Sequence, residues 1–121
     1  MLALFDPQRL YSATPLRCRR TLEPLAARLD LPIAAEPAFD EPGPGEDIDD
    51  RVAGAAARLA ELRDGERTVI CSQGKVIPPL LALLDGDSGG GNRDPKAYKT
   101  PKGTGWVLCF THDRLTALDR L

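Results

Sequence analysis

Two short stretches hold the residue types that could do chemistry in this chain of 121 residues. In the first, "TPLRCRRT", Arg17 follows a strand-like run and opens a helical one. A guanidinium placed there can fork onto two phosphate oxygens. The second is "TVICSQGKVIPPLLALL", residues 68–84, which reads as a buried strand, a tight turn and the start of a helix. Its turn combines Ser72, Gln73, Gly74 and Lys75. Free backbone N–H groups, the positive end of a helix dipole and a permissive glycine all suit a phosphate. Lys75 adds a point charge and Gln73 a neutral amide donor. A strand, turn and helix with one glycine is also a common structural arrangement, and Gln73 stands where a catalytic group would be sought. Asp40, Glu41 and Asp47 could serve acid–base chemistry or lie in solvent as loop carboxylates.

Other chemistries find little to work with. The single histidine, His112, has no ligand cluster in sequence around it, so no metal site is expected. Cys18, Cys71 and Cys109 form no C-x-x-C pair and read as small buried hydrophobes of a reduced, cytoplasmic protein. A net charge of −2 and a pI near 5.4 argue against a general nucleic-acid binder. No apolar run approaches the roughly 20 residues that span a bilayer. The opening "MLALFDPQRL" has no basic region and meets a charge at Asp6, unlike a secretion signal.

The elements that must position these residues follow from periodicity. "RLYSAT" is a strand candidate. From Leu16 to Leu29, apolar Leu22, Leu25, Ala26 and Leu29 recur at helical spacing, although Pro24 removes a donor and is awkward there. "LPIAA" is a second strand and "EPAFDEPGPGED" a loop. Asp47, Asp49 and Asp50 favour a helix N-terminus, and Ile48, Val52, Ala55, Ala56, Leu59 and Leu62 line the helix that follows. "TVICS" is expected to be a central strand covered on both faces. The prolines of "VIPPLLALL" fit only a first helical turn. Residues 85–103 are expected to form a flexible loop without core-forming residues; Arg93, Lys96, Lys99 and Lys102 make it locally basic. "GWVLCFT" and "RLTALDRL" predict a terminal hairpin that adds an antiparallel edge. The expected fold is a single α/β domain over 1–121, a three-layer sandwich with helices on both faces of a mostly parallel sheet.

"YSATPLRCRRTLEPLAARL" resembles the second motif of the histidine phosphatase superfamily, in which a strand ends in S-S-P-x-x-R and a Thr follows four residues after the Arg, as Thr21 follows Arg17 here. "TVICSQGKVIPPLLALL" is similar to that family's later V-x-x-S-H-G-G-x-I-x-x-L-L motif, with Ser72, Gly74 and Ile77 matching and Gln73 replacing His. Glu41 falls where the family often places an acidic proton donor. Within the superfamily the chain looks closest to the C-terminal domain of actinobacterial MutT-type Nudix hydrolases, whose late motif carries Gln and whose tail resembles the "KGTGWVL" of residues 102–108. The resemblance implies a phosphoglycerate mutase-like fold, truncated because the N-terminal R-H-G strand with the nucleophilic histidine is absent. It implies a domain inactive by itself that keeps a pocket for phosphate or a nucleotide at Arg17, Ser72, Gln73, Gly74 and Lys75. Mg²⁺ is then expected only for an attached Nudix domain. A Nudix domain, a partner subunit or a second copy are the expected partners. A pseudoenzyme interaction module that uses the 85–103 loop, and a divergent small-molecule phosphatase, are the alternative readings.

Overall fold

A computed structural model describes residues 6–63, 67–87, 94–101, 105–111 and 114–120. Three parallel strands form one sheet: β1 (Arg9–Ser12) lies between β2 (Ile33–Ala35) and β3 (Thr68–Cys71). Leu10 pairs with Ile33 on one side and Val69 on the other. Side chains alternate along a strand, so Leu10 and Ser12 point away from Tyr11; both are buried and Tyr11 is half-buried.

Helix α1 (Leu16–Leu29) packs against all three strands. It continues through Pro24, whose ring sits on the exposed side where water can satisfy the carbonyl it leaves unpaired. Asp30 ends the helix in a left-handed conformation, φ 54°, that a short polar side chain tolerates. Helix α2 (Ile48–Leu62) begins at Asp47, with Asp49 and Asp50 against the positive end of its dipole. Helix α3 (Ile77–Asp87) places Pro78 and Pro79 in its first turn, where no intrahelical donor is lost. Val52, Ala55 and Leu62 of α2 join Leu80 and Leu84 of α3, Ala13 and Phe39 in the main core, with Tyr11 and Ile70 packed against it.

Two expectations change here. Among the described residues β3 lies at the edge of the sheet and β1 at its centre, where it takes both sets of parallel hydrogen bonds. An apolar run such as "TVIC" reports covered faces and cannot report whether both edges are paired. The hairpin of β4 (Trp106–Thr111) and β5 (Arg114–Arg120) forms its own two-stranded sheet rather than an edge of the first.

The 85–103 stretch also differs from a coreless loop. α3 runs into it, and Pro95–Tyr98 forms a 3-10 turn capped by Asp94, whose side chain accepts from the Lys96 N–H at 3.0 Å. Tyr98 is buried with Leu81 and Ala82. Its hydroxyl donates to Asp85 at 2.5 Å, which, with burial, pushes its pKa up to about 12. Trp106 stacks obliquely on Tyr98 at 5.9 Å, donates its indole N–H to Thr100 and lies under the Arg120 guanidinium. Tyr11 and Trp106 are thus both packed, each partly buried against a core cluster. His112, Arg93 and Lys102 lie outside the described residues.

Candidate functional site

The carboxyl ends of β1 and β3 point to one end of the sheet, since the strands are parallel. Ligands of open α/β sheets bind at such an end. There the chain leaves β1 at Ala13, whose N–H donates to Cys71 of β3 at 2.8 Å, and enters α1 after Pro15. It leaves β3 at Ser72 and enters α3 through a turn in which the Gln73 carbonyl accepts from both Val76 and Ile77.

The two sequence motifs meet at this end. The Cys18 thiol lies 3.9 Å from the Ser72 carbonyl, so the first turn of α1 abuts the end of β3. Arg17, one residue earlier, is exposed, and only its backbone carbonyl is engaged among the described residues, by Thr21 Oγ1 at 2.8 Å. That back-bond explains the four-residue spacing of Arg17 and Thr21 in local terms: a threonine hydroxyl reaches the carbonyl one turn before it. Arg19 and Arg20 are exposed. Cys71, behind the turn, has a pKa pushed up to about 11, first by burial and then by the Cys18 thiol beside it, with Thr21 pulling the other way. It is a poor thiolate.

A third segment, which carries the Asp40 and Glu41 nominated by the sequence, closes over this end. Phe39 plugs the core at 1% exposure, and its carbonyl accepts from Ser72 Oγ at 2.7 Å. Asp40 accepts from the Thr14 N–H at 2.6 Å. The Glu41 N–H donates to Gln73 Oε1 at 2.7 Å, and the Glu41 carboxylate accepts from the Lys75 N–H at 3.4 Å. Gln73, only 7% exposed, therefore spends its carbonyl on a backbone N–H. Only an acceptor can face an N–H, so this contact also fixes which end of the amide points away from Glu41. Ser72 likewise spends its hydroxyl proton on Phe39. Gly74 and Lys75 are exposed.

Gly74 does not use the freedom expected of it: its φ is not positive, and an added Cβ would meet nothing within 4 Å. Its contribution is open space beside the turn. Of the three sequence-nominated carboxylates, Asp40 and Glu41 belong to this end, whereas Asp47 sits at the N-cap position of α2 without a side-chain capping bond. A groove of about 500 Å³ beside Asp47, lined also by Glu46, Asp50 and Arg51, presents three carboxylates to one guanidinium and so disfavours a phosphate. Among the described residues no group of three or more His, Cys, Asp or Glu is placed to hold a metal ion. No described helix is long and apolar enough to cross a membrane.

Comparison with known proteins shows similarity to a curated nucleotide phosphatase. The chain is 36% identical over 122 aligned positions to an 8-oxo-(d)GTP phosphatase of Mycolicibacterium smegmatis, an alignment that takes in 99% of this chain and 35% of the relative. The chain thus spans about a third of the length of this curated relative. No family model matches.

Proposed function

We propose that this chain is the histidine-phosphatase-like domain of a Nudix-type nucleotide hydrolase, of phosphoglycerate mutase-like fold, which binds the phosphate of a nucleotide without cleaving it. One observation carries the reading: nearly the whole chain aligns with about a third of an 8-oxo-(d)GTP phosphatase. The placement of Arg17 and the 72–75 turn at one end of a parallel sheet supports it.

In this domain Arg17 is the anion's main electrostatic partner, exposed and uncommitted at the start of α1. Lys75 and the backbone of the turn supply further positive potential. Gln73 stands in place of an imidazole and is held by Glu41, so it orders the turn rather than attacking a phosphorus atom. Hydrolysis of a nucleoside triphosphate, and the Mg²⁺ it needs, belong to an attached Nudix domain in this reading. The cytoplasm, where nucleotides are abundant and the free thiols of Cys18 and Cys71 stay reduced, is the fitting compartment.

Among the described residues no strand lies along the outer edge of β3, and the rest of such a protein would attach there. Cys71 turns its carbonyl toward β1, so by alternation the Ile70 N–H and C=O face outward, as on any edge strand. A strand from the larger polypeptide, or from a second copy, completes the ladder. A chain that remains strictly monomeric at high concentration would count against pairing with itself.

The pocket is tested by titrating inorganic phosphate and a nucleoside triphosphate into the isotope-labelled chain and following its amide signals. Arg17→Ala should weaken binding by about 1.5–3 kcal/mol, the range for a hydrogen bond to a charged group. Equal affinity in the two proteins removes Arg17 from the site, and turnover of an aryl phosphate by the purified chain would replace this reading with that of a divergent phosphatase.

A further inference from the structure

The carboxylate of Glu41 lies on the same turn that the proposed pocket offers to a ligand. Its oxygen accepts from the Lys75 N–H, which precedes α3 and is one of the donors a bound phosphate would use. The two ends of Glu41 are held very differently. Its backbone N–H is fixed to the 93%-buried Gln73 through a 2.7 Å hydrogen bond, while its carboxylate reaches Lys75 at 3.4 Å, a long contact at an exposed position. Phe39 in the core, and the Asp40 and Ser72 hydrogen bonds, pin the segment just before it. The result is a negative group tethered at its base and loose at its tip.

We propose that Glu41 is an internal competitor for anions: its carboxylate plugs the 72–75 turn, Gln73 holds it in register, and a phosphate enters by displacing it. The inference rests on the pocket reading above. Because the plug's base is fixed, displacement needs only a side-chain rotation, and the Glu41 N–H bond to Gln73 persists in the bound state. Gln73 is therefore a positioning residue, acting through Glu41.

Inorganic phosphate titrated into wild type, Glu41→Ala, Glu41→Gln and Asp40→Asn, followed at the Lys75 amide, tests this. Asp40 is the control because it carries the same charge next door but bonds Thr14 rather than the turn. Glu41→Ala should bind roughly three- to tenfold more tightly than wild type, the gain from freeing a site whose open form is a minority, and Glu41→Gln should gain less. Asp40→Asn should stay within about twofold, because a nearby exposed charge acts through high dielectric. An equal gain in Asp40→Asn reduces the effect to general charge and overturns the plug. Saturable binding with no gain in either Glu41 variant overturns the plug while leaving the pocket standing. No binding in any of the four proteins overturns the pocket itself. The latch has a separate readout: Gln73→Leu should speed hydrogen exchange at the Glu41 amide and Glu41→Gln should not, and unchanged exchange in Gln73→Leu refutes the latch.

Discussion

Replacing Phe39 by alanine should damage both the fold and the site, and the structure sets the size of the loss. Phe39 is 1% exposed and packs in the main core with residues of α2 and α3. Burying such a side chain contributes about 1.5–3 kcal/mol by transfer from water. The void left by alanine adds to that, because neighbours on rigid helices relax only in part, so the total cost should reach about 3–5 kcal/mol. For a domain whose whole stability is about 5–15 kcal/mol, this is a large fraction. Urea unfolding followed by circular dichroism at neutral pH measures it. The same change frees the Phe39 carbonyl from its fixed place under Ser72, so amide exchange should rise at Asp40 and Glu41 in urea-free buffer. Phe39→Leu, which keeps most of the volume, should lose much less. A cost below about 1 kcal/mol for Phe39→Ala would mean that the 39–41 segment is not anchored in the core, and the closed site described above would lose its support.

Tyr98→Phe should destabilise the chain by about 1.5–3 kcal/mol at neutral pH, since Asp85 loses the hydroxyl that serves it. The Tyr98 pKa is raised from 10 to about 12 in the folded chain, so this contribution is full below pH 10 and fades as pH rises from 10 toward 12. Thermal unfolding of the two proteins should accordingly converge across that window, and a constant difference up to pH 12 would refute the assignment. Alkylation at pH 8, read by mass spectrometry, should modify exposed Cys109 well before Cys71, whose pKa of about 11 leaves almost no thiolate. Labelling of Cys71 first would contradict its burial.

The sequence made the helices and the first two strands legible because each carries its own periodicity and stops. Asp47, Asp49 and Asp50 announce α2, and paired prolines announce α3. What it concealed is relational. The run of β3 shows covered faces, but its place at the edge depends on β1, some sixty residues away in the chain. Tyr98 was hidden inside a polar stretch, although Asp94 followed by Pro95 is a helix-start signal that a closer reading of "DPKAY" could have used. At the site, Arg17 and the 72–75 turn were readable from residue type and spacing. The Gln73 contact with Glu41 was not, for it joins residues 32 apart through a single amide–backbone contact that leaves no pattern in either segment. The same holds for Asp40 and Thr14.

Trp106 is the only indole in the chain, and it is walled in by Tyr98, Thr100 and Arg120 around the far part of α3. Asp85, which tethers that assembly, lies eight residues beyond Ile77, about 12 Å along the helix axis from the end where α3 starts. The chain's natural fluorophore is thus a reporter of the hairpin and of the part of α3 away from its start, not of the turn itself. A dye or isotope label placed near Lys75 is the more direct probe of anything that docks beside Arg17.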